Sequence, residues 1–293
     1  MKPLMERLQD EVLVCDGAMG TQLLEKGLGL GECPEYFGIN NKKILLDIHK
    51  SYIKAGADMI ITNTFGANRI KLQKFKLQDK LQEINSQAVK IAKDAADNKT
   101  YVLGGLGPMG EYIKPVGNLS FDDCYKAFLE QAKIFESEGV EAIIIETMTG
   151  VEELKAAIMA VKEKTKLPVI ASMAFDKTAQ GSYRTTSGVS IPQLVSDALM
   201  AGADTIGANC GVDITDMVEI IKEMRPLSTA FIIAQPNAGK PKLQGDKTVY
   251  EQSPGEFAGY IPQLIKSGAN IIGGCCGTTP EHIKYIREAV NSR

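Results

Sequence analysis

The chain alternates eight short β-branched runs with eight segments of helical periodicity, and that alternation limits its fold more than anything else in the sequence. The runs are Val12–Cys15, Met59–Thr64, Tyr101–Leu106, Ala142–Thr147, Val169–Phe175, Thr205–Asn209, Ala230–Gln235 and Asn270–Gly274. Between and after them lie helical patterns at Lys43–Ala55, Lys80–Ala96, Phe121–Ser137, Val151–Lys164, Ile191–Met200, Ile214–Glu223, Gly255–Lys266 and Pro280–Val290. Runs such as Ala142-Ile143-Ile144-Ile145 are apolar on both faces, as parallel strands covered by helices must be. The expectation is α/β: one (β/α)8 TIM barrel spanning residues 1–293, preferred over a doubly wound open sheet because eight units are evenly spaced. A repeated phrase supports it: Ala55-Gly56-Ala57-Asp58, Glu138-Gly139-Val140-Glu141, Ala201-Gly202-Ala203-Asp204 and Ser267-Gly268-Ala269-Asn270 precede strands 2, 4, 6 and 8. Each glycine suits the left-handed residue that stops a helix.

Composition excludes several classes. The charge balance of −3 argues against nucleic acid or an anionic membrane as partner, and the longest apolar runs are strand-length. Met1–Asp10 has mixed charge and no apolar core, so no export leader is expected and the chain is placed in the cytoplasm. Six cysteines with only two histidines, in a reducing compartment, point to thiolate chemistry before disulfides.

In a barrel the site lies at the C-terminal ends of the strands. Those ends carry Asp16, Asn63, Gly107-Pro108, Glu146, Asp176, Asn209-Cys210, Pro236-Asn237 and Cys275-Cys276, so three cysteines fall on one face. Neighbouring strand residues point oppositely, which would split Cys275 from Cys276; the glycines of Gly273-Gly274-Cys275-Cys276-Gly277 are expected to break that alternation and to bring backbone N–H groups to the sulfurs. Thr279 and Pro280 read as N-cap and first residue of the last helix. Three thiolates with one open position are the donor set of a catalytic zinc site. A vicinal disulfide between Cys275 and Cys276 is the alternative. The segment lacks the lysine of a phosphate-binding P-loop. Cys15, Cys33 and Cys124 read as core residues.

Asp16-Gly17-Ala18 offers a carboxylate for a substrate ammonium and backbone N–H groups for a substrate carboxylate, although Asp-Gly is also an ordinary turn. Glu146 supplies a second carboxylate, with a structural partner role weighed equally. Asn237 is a candidate to fill the fourth metal position when substrate is absent. His282 reads as a first-turn helix residue and His49 has no visible partner.

These residues resemble a known family. Asp16–Thr21, Thr62–Asn68, Ile145–Thr147, Gly207–Cys210, Pro236–Gly239 and Gly273–His282 look like the homocysteine-binding domain of cobalamin-dependent methionine synthase, in order from about Leu13 to the C-terminus. The resemblance implies a Zn2+-dependent barrel methylating L-homocysteine to L-methionine, with methylcobalamin as donor and Cys210, Cys275 and Cys276 as ligands. It further places Asp16, Glu146, Gly17 and Ala18 at the amino-acid end of the substrate. Complete enzymes of that kind carry folate, cobalamin and reactivation modules, so a corrinoid-carrying module or protein is the expected partner. Transfer from S-methylmethionine or S-adenosylmethionine, or a non-catalytic homocysteine-binding role, are the alternatives. Glu25–Asn41 and Asp176–Ser190 are long enough to close over substrate.

Overall fold

The computed structural model describes residues 1–245 and 247–292, and eight parallel strands form its centre. They are β1 (Leu13–Val14), β2 (Met59–Ile61), β3 (Tyr101–Leu106), β4 (Ala142–Met148), β5 (Val169–Met173), β6 (Thr205–Asp213), β7 (Phe231–Asn237) and β8 (Ile271–Ile272). Each pairs with its sequence neighbour, β8 pairs with β1, and the ring closes between β1 and β2 through a Cys15–Met59 bridge. Helices cover the outside: Lys42–Lys54, Leu81–Ala96, Phe121–Glu138, Val151–Lys164, Ile191–Met200, Ile214–Met224, Ile261–Lys266 and Pro280–Asn291. This is the expected (β/α)8 barrel.

Burial explains why both faces of the strands are apolar. Ile143, Ile145, Ile206 and Ile232 pack outward against the helices. Leu13, Met59, Leu103, Ile144, Ile170 and Ile233 face inward and fill the barrel. Leu4 and Leu8, carried by a short helix at Leu4–Arg7, join that inner cluster and plug its N-terminal end.

The repeated phrase does more than end helices. Gly56, Gly139, Gly202 and Gly268 are all left-handed, with φ of 104°, 73°, 103° and 109°. The next N–H reaches back to the last helical turn, as in Ala57 N–H to Tyr52 O at 3.1 Å and Ala203 N–H to Ala198 O at 3.0 Å. The fourth residue then grips the preceding strand twice. Its N–H donates to a strand carbonyl, and its side chain accepts that same strand residue's N–H. Asp58 holds Val14 this way (2.7 and 2.8 Å), Glu141 holds Val102 (3.0 and 2.7 Å), Asp204 holds Val169 (2.9 and 2.8 Å) and Asn270 holds Ile232 (2.8 and 3.0 Å). Asp58 also receives the guanidinium groups of Arg7 and Arg287.

Several boundaries differ from expectation. The segment expected as one helix over Gly255–Lys266 is two, Pro254–Ala258 and Ile261–Lys266, because Pro262 has no N–H to continue the first. β6 runs four residues past Asn209, and β8 stops at Ile272. Two antiparallel hairpins rise beyond the strands: Asp176–Lys177 with Tyr183–Arg184, and Lys242–Gln244 with Lys247–Val249. Among the described residues no helix is long and apolar enough to cross a membrane.

The double grip makes a stability prediction. Asp58→Ala strands a backbone N–H and removes one partner from each of two half-buried guanidinium groups, which keep Glu11 and Gly56 O, and is expected to cost about 3 kcal/mol, against about 1–2 kcal/mol for Glu141→Ala, which strands only the N–H. Thermal denaturation of the two variants checks the order; equal midpoints would remove the special role of Asp58.

Candidate metal centre

Cys210, Cys275 and Cys276 converge at the mouth of the barrel, their sulfurs all within 4.8 Å of one another. Cys210 and Cys276 lie 3.8 Å apart, Sγ to Sγ. Four sulfurs placed tetrahedrally at about 2.3 Å from a zinc ion stand about 3.8 Å from each other, so the spacing suits such an ion. All six cysteines are free thiols, and Cys15, Cys33 and Cys124 are buried in the core.

Each sulfur reaches the mouth because its strand stops alternating. Between β6 and β7 the register passes from Asn209↔Gln235 to Asp213↔Asn237, four residues against two, so β6 carries two extra residues there. Cys210 (φ 58°) and Gly211 (φ 69°) are both left-handed within that bulge. A side chain at Gly211 would lie 2.3 Å from Phe175 O, so only glycine fits. The cysteine pair is separated differently. Cys275 follows β8 and donates its N–H to Pro236 O (2.8 Å), and the chain then turns, with Thr278 N–H on Cys275 O (3.1 Å). Gly277 supplies the φ of 81° that a type II turn requires at its third residue.

This corrects the expected role of the preceding glycines. Gly273 and Gly274 are not left-handed; a Cβ on Gly273 would sit 2.8 Å from Asp16 O, and one on Gly274 2.4 Å from Thr278 Oγ1. They allow close packing, and their N–H groups bond Ala234 O and Asp16 O, not sulfur. Thr279 caps the last helix with Pro280 in its first turn, and His282 Nδ1 accepts the Thr279 N–H (3.2 Å) while Nε2 faces Gln252 O (3.0 Å). His49 is fully buried with neither ring nitrogen partnered.

The thiols are electrostatically linked. Hydrogen bonds from Cys210 and Cys275 hold the Cys276 sulfur well below the usual thiol range, and Cys275 is pushed up by the same contacts. Tyr250, which follows the 242–249 hairpin, faces Cys276, and its ring packs where Gly277 has no side chain. Nothing in the sequence singled it out: Gly245-Asp246 is a legible two-residue turn signal, but no local pattern says that the residue after the hairpin comes to lie against Cys276. The two long segments that the sequence marks as able to close over the mouth carry structure of their own. Glu25–Asn41 contains a helix, Pro34–Asn40, anchored by buried Glu35 on Gly66 N–H, and Asp176–Ser190 forms the first hairpin.

Two carboxyl groups line the mouth beside the sulfurs. Asp16 is buried, and its Oδ2 accepts the Ile61 N–H (2.9 Å). Burial pushes it up to about 7. Glu146 takes no side-chain hydrogen bond among the described residues; burial, then the charges of Asp16 and Cys276, push it up to about 8. Gly17 is packed against Thr278 and Tyr52. The Ala18 N–H, expected to be free for a substrate, is instead donated to Thr278 Oγ1 (3.1 Å), while Tyr52 hydroxyl donates to Ala18 O (2.7 Å). Asn237 lies between Pro236 and Ala238, which bond Cys275 and Cys276 respectively, and its Oδ1 is buried without a partner. A free acceptor beside three thiols fits a metal.

A barrel whose mouth gathers three thiols and two carboxyl groups held above their usual range by burial defines a class of thiol-handling enzyme. The homocysteine S-methyltransferase family model matches residues 13–290, and the chain belongs to that family of methyltransferases. It is 32% identical over 305 residues to methionine synthase of Mycobacterium leprae (strain TN), and equally so to that of Mycobacterium tuberculosis (strain ATCC 25618 / H37Rv). Those alignments cover 98% of this chain but 25% of each relative, so the chain spans about a quarter of their length. Among solved structures, the metallated homocysteine methyltransferase MmuM from Escherichia coli superposes with a TM-score of 0.82 at 20% identity, covering 98% of this chain and 99% of that one. The carboxyl transferase domain of Rhizobium etli pyruvate carboxylase reaches 0.57 at 14% identity, over 98% of this chain and 48% of that one, a likeness of fold.

Two outcomes follow from the geometry. Cobalt(II) added to the chain is expected to give thiolate-to-metal charge-transfer absorption, lost with Cys210→Ala, Cys275→Ala or Cys276→Ala; a variant that keeps the parent spectrum would remove that sulfur from the set. Because Glu146 holds its proton more tightly folded than unfolded, its contribution to stability is present at low pH and lost as pH rises from about 4 to about 8. Metal-free Glu146→Gln is therefore expected to lose less thermal stability than the parent between pH 5 and 8.5, measured by calorimetry.

Proposed function

We propose that this chain transfers a methyl group to the sulfur of L-homocysteine, giving L-methionine, with Zn2+ held by Cys210, Cys275 and Cys276 and methylcobalamin, carried by another module or protein, as donor. The observation that carries this reading is the 3.8 Å sulfur spacing of Cys210 and Cys276 beside two carboxyl groups that form no ion pair among the described residues. The quarter-length match to methionine synthases supports a donor on separate modules.

Zinc, when bound, would supply a Lewis acid that lowers the pKa of an incoming thiol toward neutrality. Cys210, Cys275 and Cys276 would hold it as thiolates, and their combined negative charge would leave an incoming sulfur electron-rich. Asp16 and Glu146, both poised near neutral pH, take the substrate's ammonium group and stay ionised once it is present. Gly17 N–H is left as the backbone donor for the substrate carboxylate, since Thr278 occupies that of Ala18. Asn237 Oδ1 is available for the fourth metal position before the substrate sulfur arrives. Tyr250 offers a further hydrogen-bond partner to the Cys276 sulfur. Free thiols throughout suit a cytoplasmic setting.

Donor profiling tests the reading. Zinc-loaded chain with homocysteine and methylcobalamin is expected to form methionine, detected by mass spectrometry, and Cys210→Ala to abolish it. Methionine formed only from S-methylmethionine or S-adenosylmethionine would overturn the donor assignment. Tight homocysteine binding without transfer from any donor would reduce the chain to a binding module.

A further inference from the structure

Glu146 is followed by a second break in alternation. The β4–β5 register passes from Ile145↔Ala171 to Met148↔Met173, three steps on β4 against two on β5, so β4 carries one extra residue. That residue region contains Thr147, left-handed at φ 60°. A β-branched side chain crowds its own backbone there, and such a conformation persists only where surroundings impose it.

Asn209 imposes it. Its Oδ1 accepts the Thr147 N–H at 2.8 Å, and its Nδ2 donates to Thr147 Oγ1 at 2.7 Å. The Ser172 hydroxyl donates to the same Oδ1 at 2.7 Å, fixing which way the amide faces. Asn209 and Ser172 are both buried and Thr147 is half-buried, so the amide itself is held away from water. The consequence is visible along β4. Ala142 and Ile144 belong to the barrel interior, and Ile143 and Ile145 to the outer layer. Glu146 is the next inward position. Plain alternation would turn Met148 inward above it, but after the bulge Met148 lies in the outer layer, fully buried.

We infer that Asn209 is a positioning residue for recognition of the substrate's amino group: by holding Thr147 left-handed it ends the alternation directly after Glu146, fixing the backbone that carries Glu146 at the mouth and keeping Met148 out of it. The inference rests on the proposed pairing of Glu146 with the substrate ammonium. Asn209 immediately precedes Cys210, so one bulged stretch of β6 sets both the sulfur end and, through Thr147, the amino end of the site. The distance between the two is thereby fixed by backbone, which matches a ligand of set length such as a γ-thiol α-amino acid.

Calorimetric titration of the zinc-loaded chain with homocysteine and with 4-mercaptobutanoate, the same thiol acid without its amino group, tests this. Asn209→Ala is expected to weaken homocysteine about tenfold and 4-mercaptobutanoate less than about twofold, with zinc content unchanged. Adding Thr147→Gly is expected to restore part of the loss, because glycine adopts the left-handed region unaided. Equal loss for both thiols, or no loss, overturns the inference. If Asn209→Ala does not fold, Ser172→Ala makes the same comparison, with an expected selective loss of about threefold; equal losses there overturn it too. Glu146→Gln separates the two claims. If it leaves the preference for homocysteine over 4-mercaptobutanoate intact, the pairing of Glu146 with the ammonium fails. If it removes that preference while Asn209→Ala retains it, only the positioning role fails.

Discussion

Side chains on a strand alternate between two faces, and this site exists because three strand ends abandon that rule within a few residues of each other. Left-handed backbone at Thr147, Cys210, Gly211 and Gly277 marks the departures. Two of the four are not glycine, and each of those costs about 1–2 kcal/mol in intrinsic conformational preference. Hydrogen bonds offset the cost at Thr147, where three bonds centred on the buried Asn209 each contribute about 1 kcal/mol. At Cys210 the neighbouring glycine lets β6 pass Phe175 at a separation no side chain would tolerate. Strain is thus concentrated at the face that binds, and the interior layers below it remain regular.

The opposite end of the barrel is built for closure. Four side chains, Asp58, Glu141, Asp204 and Asn270, each pin the start of an even strand to the odd strand before it. Asp58 extends the grip to the N-terminal segment through Arg7 and to the last helix through Arg287, joining the two ends of the chain where the ring closes between β1 and β2. That division of labour frees the strand ends at the mouth to bulge without opening the ring.

The regular part of this design was legible in the sequence. Period and spacing gave the eight units, and the four glycine phrases marked the helix ends, although the double grip of their fourth residue requires knowing which strand lies alongside. Cys210, Cys275 and Cys276 stood out because all three follow strand-like runs. The break at Pro262 was also written there, since proline cannot continue a helix, but the longer periodic pattern hid it. What the sequence concealed was of another kind. Gly273, Gly274 and Gly277 look alike in a row, yet only Gly277 uses a left-handed backbone; the others make room for Asp16 O and Thr278. The loss of the Ala18 N–H to Thr278, the hold of Asn209 on Thr147 and the approach of Tyr250 to Cys276 are contacts between distant segments, and no local pattern encodes them.

Charge explains why such an arrangement is tolerable at all. Three thiols and two carboxyl groups share one mouth, and no lysine or arginine forms an ion pair with either carboxyl group among the described residues. Fully ionised, this collection would repel itself in a medium of low polarity. The mouth therefore retains protons: Asp16 and Glu146 rise to about 7 and 8, and the sulfurs share theirs around Cys276. Protons held this way are exchangeable for other positive charge. A divalent cation among the sulfurs and an ammonium group between the carboxyl groups would replace them, and a ligand carrying an ammonium at one end and an acidic S–H at the other matches both demands. In this view the specificity of the site is set by a deficit of positive charge divided between two places, and the two bulges that separate β4 from its neighbours and Cys210 from its strand determine how far apart those places lie.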